Sequence, residues 1–256
     1  MSKRKRFIIT SASLSLGFII LQLLPEQYRF GSIAALGILT LGLFIWSLRE
    51  GLGFDTTLLT LVLPVAFTVG VGLFWFLLPS NIFAKIPIVI IYAFTIYALC
   101  LTMNIYTVAA IRTIALLRAA RGVGFVLTLL VFFLIFDTIL SLKVPLYLTS
   151  PAVALISIPL FFQGFWSAVL DKSFSLEVMK ISLVSSLIIG EIAVGIYFWP
   201  VTITVGSIFL TVAVYELLGL GQAKLEGRLF AQTVREYFFL GIAVFVGMFL
   251  ATHWGG

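Results

Sequence analysis

At 256 residues, 62% hydrophobic and 10% charged, the chain has too few polar side chains to cover a soluble domain of its size. Its formal charge of +6 would point a soluble protein toward nucleic acid. Here the lysines and arginines sit in the connections between apolar runs, so no nucleic-acid partner is expected. One cysteine (Cys100) and one histidine (His253) exclude an intramolecular disulfide and any histidine-paired metal site, and neither metal nor cofactor is expected.

The N-terminus, Lys3-Arg4-Lys5-Arg6 before an apolar run, imitates a secretory signal. That run, Phe7 to Leu24, is long for a signal core and ends in Leu-Leu-Pro-Glu-Gln, not a small-x-small cleavage site. It reads as an uncleaved first span with its N-terminus in the cytoplasm. Eight more apolar segments follow, each about long enough to cross a bilayer: 31–48, 56–78, 84–104, 123–142, 149–170, 180–199, 201–219 and 237–253. The seventh and eighth are the weakest pair. Trp199-Pro200 is nearly the whole turn between them, so a re-entrant hairpin and an eight-span count stand as alternatives. The expected fold is all-α, a polytopic transmembrane helical bundle forming a single integral-membrane domain over 1–256.

Charge sets the expected orientation. With nine spans and the N-terminus inside, thirteen lysines and arginines fall on the cytoplasmic side and only Arg29, Lys85 and Lys143 on the outer side. The C-terminus, with His253 and Trp254, is then outside. Helices running outward finish at or near Pro25, Pro79, Pro145 and Pro200, as suits a residue that cannot continue a helix.

The connection around Asn104–Gly124 carries Arg112, Arg118 and Arg121 and no acid. Rich in Ala and Leu, it favours helix. A helix from Pro87 to Arg121 would be roughly 50 Å long against a ~30 Å hydrocarbon core, so a break near Met103–Thr107 or a helix tail leaving the bilayer is expected. Gly122 and Gly124 read as stops or a kink before the next span. The three arginines are candidates for anionic phospholipid headgroups.

Residues 219–236 read as an amphipathic helix in the inner interface, with leucines, Phe230 and Val234 on one face. Ala243, Gly247 and Ala251 recur every four residues, a small-residue ridge for close helix contact with this bundle or a membrane-protein partner. Ser13 and Gly17 form a shorter one. Trp75, Trp166, Trp199 and Trp254 near span ends read as aromatic belts.

Four residues are the candidate polar groups within the spans: Asn104, Asp137, Glu191 and Glu216. A carboxylate in hydrocarbon is costly, which makes each acid a functional candidate. Glu216 reads as close to the cytoplasmic face, within reach of Arg228, Arg235 or the arginine stretch. Asp137 lies about 9 Å and Glu191 about 13 Å from the outer edge at 1.5 Å per residue, so the two are expected to meet. At least one is then expected to keep its proton at neutral pH and donate a hydrogen bond within the bundle.

The bare Gly-x-Gly pairs follow no strand, and neither a P-loop nor Gly-x-Ser-x-Gly occurs. Asn104-Ile-Tyr-Thr-Val-Ala-Ala-Ile-Arg112 through Leu-Leu-Arg118-Ala-Ala, with Gly124-Phe-x-Leu-Thr128 and Phe136-Asp137-Thr-Ile-Leu, resembles an uncharacterised family of multi-spanning proteins from small-genome candidate bacterial phyla. That resemblance covers most of the chain and implies a bacterial cytoplasmic membrane and no particular chemistry. Three function classes stand open. The first is a non-enzymatic membrane component or accessory subunit, and the reading leans this way. The second is a small transporter using Asp137 and Glu191. The third is an intramembrane enzyme on a lipid-linked substrate.

Overall fold

The computed structural model describes residues 2–49, 54–77, 82–109, 116–170 and 175–252. Among them are nine helices, each long and apolar enough to cross a membrane, and no strand. They are α1 (Lys3–Leu23), α2 (Arg29–Leu48), α3 (Phe54–Trp75), α4 (Ile82–Ala109), α5 (Leu117–Ser141), α6 (Leu146–Val169), α7 (Leu176–Phe198), α8 (Ile203–Leu225) and α9 (Ala231–Leu250). A 3-10 turn at Glu26–Tyr28 joins α1 to α2. The weak seventh and eighth segments are full helices of 23 residues each, so the count is nine and not eight. The chain divides into two compact units, residues 1–127 and 128–256, and α5 contributes residues to both.

In unit 1, α2 packs on α3 and α1 packs on both α4 and α2. Lipid tails are as apolar as leucine, so these helices associate through close packing and internal hydrogen bonds. Small residues allow the approach: a Cβ on Gly17 would stand 2.7 Å from Leu36, and one on Gly37 would stand 3.3 Å from Val69. Phe18 stacks on Tyr92 at 4.7 Å and meets Trp75 edge-on at 5.5 Å. Thr40 donates to Thr68 (3.2 Å), and Thr68 bonds the Tyr92 hydroxyl (3.1 Å), tying α2, α3 and α4 together. Trp75 is therefore a core residue and no belt, and Trp166 in unit 2 is buried too.

α4 shows no break at Met103–Thr107. It stays helical to Ala109, about 42 Å of helix and longer than a hydrocarbon core. Gly122 and Gly124 lie inside α5 and end nothing. Gly124 is small because the Tyr106 hydroxyl of α4 comes against it: a Cβ there would clash with that oxygen at 2.2 Å. The same hydroxyl donates to the Ala120 carbonyl at 3.1 Å.

In unit 2, α6 packs along α7 and also meets α8, while α9 packs chiefly on α8. Phe132, Phe161 and Phe165 form a chain of rings between α5 and α6. Ser150 donates to the Gly190 carbonyl at 2.9 Å, and Gln222 to the Gly164 carbonyl at 2.9 Å. Other buried hydroxyls, including Thr138, Ser157, Ser182 and Ser207, donate to carbonyls of their own helices, as apolar surroundings require.

The stretch 219–236 is not one interfacial helix. α8 runs on to Leu225, a turn follows with Gly227 at φ +68°, and α9 begins at Ala231. At Gly219 and Gly221 neighbours press on the α8 backbone, Tyr237 on the first and Phe165 on the second. Of the four prolines read as terminators, Pro25 follows α1, Pro145 caps the start of α6 and Pro200 lies in the α7–α8 turn, while Pro79 is outside the described residues.

Candidate functional site

The three intramembrane acids all belong to unit 2 and occupy three different surroundings. Asp137, on α5, is 7% exposed. Its side-chain hydrogen-bond neighbour is Ser207 of α8, while Oδ1 is buried with no partner. Ser207 gives its own proton to the Ile203 carbonyl at 2.8 Å. Beside Ser207, Gly206 packs against Ile196 of α7, 3.0 Å from a Cβ built there, with Leu140 of α5 in ordinary contact at 3.5 Å.

Glu191 does not meet Asp137. It is exposed on α7, on the face that also carries Lys180, Val184, Leu187 and Gly195. The opposite face of the helix is the one that packs, through Ser182, Ile189, Gly190 and Ala193. Depth along the helices was legible in the sequence, but the inward side of α7 is marked by small residues, Ser182, Ser185, Ser186, Gly190 and Ala193, and not by greater hydrophobicity.

Glu216 lies away from the end of its helix. Because α8 extends to Leu225, Glu216 is about 13 Å from that end, close to mid-span. Arg228 pairs instead with Glu226 in the turn, and Arg235 is exposed on α9. The Glu216 carboxyl rests on Gly241 of α9: a Cβ there would stand 2.6 Å from Oε1 and 2.9 Å from Oε2. Oε1 is buried without a hydrogen-bond partner.

Around this carboxyl is a cleft of about 290 Å³ between α7, α8 and α9. Its remaining walls are apolar, among them Ile192, Phe209, Val212, Phe238 and Phe245. Two aromatic clusters frame it. Trp199 meets Phe245 edge-on at 5.8 Å, with Phe209 beside Phe245 at 6.3 Å. Toward the other end, Tyr215 and Tyr237 lie 5.3 Å apart. The Trp199 indole N–H donates to Thr252 at 2.7 Å and pins the C-terminal end of α9.

Among the other candidates, Asn104 is half-buried in α4, its carbonyl accepting from Thr107 at 2.9 Å. Arg118 is exposed and Arg121 half-buried at the start of α5, while Arg112 lies outside the described residues. Ala243, Gly247 and Ala251 are exposed on α9, with nothing within 4 Å of a Cβ on Gly247. That ridge does not make the α8 contact; Gly241 does. Ser13–Gly17, by contrast, does meet α2 through Gly17 and Leu36.

Arg6 was missed. Taken with the basic N-terminus, it is 1% exposed, whereas Arg4 and Lys5 are exposed. It shares the packed face of α1 with Phe7, Thr10, Leu14 and Phe18. That 3–4-residue spacing was the available signal.

Neither a curated protein nor a solved structure matches the chain. The sequence profile of the DUF5656 family, proteins of unknown function, matches residues 15–251, and the chain belongs to that family.

Proposed function

We propose that this protein is a non-enzymatic, multi-pass component of a bacterial cytoplasmic membrane, with its N-terminus in the cytoplasm, that holds a partner membrane protein against unit 2. The observation that supports this reading is Glu191. It stands exposed about 10 Å from the end of α7, on a helix face whose other charge, Lys180, is eleven residues or about 16 Å away. An ionisable group at such a depth is costly unless a donor reaches it. None comes from the rest of unit 2 among the described residues, so the carboxyl is left for a group outside the unit. A basic or amide side chain on a partner helix would meet that need. Gly195, with open space around it, lets a helix approach closely. The exposed ridge of Ala243, Gly247 and Ala251 offers the same on α9.

Asp137, Glu191 and Glu216 have separate surroundings, so no two of them form an acid–base pair. The charge distribution supports the orientation.

The test is a photocrosslinking residue placed at Leu187 or Gly195 in native membranes, with and without Glu191→Leu. A protein adduct of one defined mass, lost in Glu191→Leu, is expected. Adducts with lipid alone, or within the chain alone, would overturn the reading.

A further inference from the structure

We infer that the cleft between α7, α8 and α9 is a binding site for a long-chain amine, a cationic amphiphile whose amino group meets Glu216. The inference is independent of the role proposed for Glu191, which lies on another face.

The shape of the cleft comes first. From Phe245 to Phe238 on α9 is seven residues, or about 10 Å, and from Phe209 to Glu216 on α8 the same. The cleft is therefore elongated along the helices, apolar for most of its length, with the carboxyl at its deep end. An alkyl chain fits such a slot, lying along it with its polar end at Glu216.

The carboxyl decides the chemistry of that end. Oε1 is buried and lacks a donor. A water molecule is held by two to four polar groups, and this cleft offers one. A divalent cation needs six or more oxygens, which one carboxyl does not provide. An ammonium group brings three donors and an opposite charge, and its bonds to a carboxylate are stronger than neutral ones. Phe238, at the Glu216 end of the cleft, adds an aromatic ring, a group that attracts cations. A fatty acid would bring a second carboxyl to the first and be repelled.

Access follows from how α9 is held. It packs chiefly on α8 and is otherwise almost wholly exposed, with the Trp199–Thr252 bond fixing one end. The side of the cleft between α7 and α9 is the natural route of entry from the surrounding lipid.

The experiment is a titration of the purified full chain in detergent with dodecylamine, read as adducts by native mass spectrometry. Dodecanol and dodecanoate of the same chain length are the comparisons. Dodecylamine should bind one per chain, at least tenfold tighter than either. Glu216→Gln, isosteric and uncharged, should weaken it at least tenfold with an unchanged melting temperature. Ala213→Trp, which fills the cleft and leaves Glu216 in place, should block it. Equal binding to wild type and Glu216→Gln, or dodecanoate binding as well as dodecylamine, would overturn the inference. So would binding unaffected by Ala213→Trp.

Discussion

Glu216 of α8 and Gly241 of α9 are complementary: the carboxyl sits where a side chain on residue 241 would begin, 2.6 Å from the position of its Cβ. One turn away the roles reverse, and Tyr237 of α9 lies over Gly219 of α8, its hydroxyl 2.2 Å from a Cβ built there. Each helix contributes one large side chain and one glycine, and this exchange is what joins α9 to unit 2.

The two glycines should respond differently to alanine. At Gly241 the clash is with the far end of a flexible side chain, so Gly241→Ala should move the Glu216 carboxyl and leave the melting temperature nearly unchanged. At Gly219 the clash is with a rigid ring, and Gly219→Ala should destabilise by about 1–3 kcal/mol. Thermal unfolding in one detergent compares them; equal losses would contradict the packing described.

Asp137 should tolerate an amide and not a hydrocarbon. The Asp137 side chain hydrogen-bonds Ser207, so residue 137 needs a hydrogen-bonding group there. Asp137→Asn supplies one and should unfold with the wild type. Asp137→Leu removes it and should cost about 1–3 kcal/mol, measured by denaturant or thermal unfolding.

Glu191→Leu is expected to be harmless to the isolated protein. The sequence alone led to the opposite expectation, since it paired Glu191 with Asp137 inside the bundle. With the side chain exposed on α7, its loss breaks nothing in unit 2. A melting temperature equal to or above wild type, together with loss of the crosslinked partner in membranes, is the expected pair of results.

For orientation, single cysteines at Ser2, Arg118 or Gly255 on a Cys100→Ala background should divide by side. Impermeant maleimide on intact cells should label the Gly255 replacement and spare the other two. Outside labelling at Ser2 or Arg118 would reverse the assignment.

The arginines near the start of α5 are expected to hold anionic lipid, each contributing about 1 kcal/mol beside an anionic surface. Arg118, the more exposed, should matter at least as much as Arg121. Arg118→Gln with Arg121→Gln should lower phosphatidylglycerol retained after detergent extraction by about thirtyfold; unchanged retention would count against the patch.

The sequence by itself determined the helices. Runs of apolar residues bounded by charge placed all nine to within a few residues at most ends, because a bilayer-spanning segment must be apolar along its whole length. It did not determine where α8 ends: the apolar run stops at 219, but the helix continues to Leu225 with Tyr237 and Phe165 packed on Gly219 and Gly221. Nor did it determine which acid faces inward. In water the buried face of a helix is its apolar one, and a 3.6-residue period reveals it. In a membrane hydrophobicity does not mark the face toward protein, and α7 packs through small residues, Ser182, Ser185, Ser186, Gly190 and Ala193, so an apolar period carries no such signal. Tertiary packing alone put Asp137 against Ser207, turned Glu191 outward and seated Glu216 on Gly241. The reason is that shape, in the form of a glycine opposite a large side chain, decides which helix faces meet once hydrophobicity no longer distinguishes them.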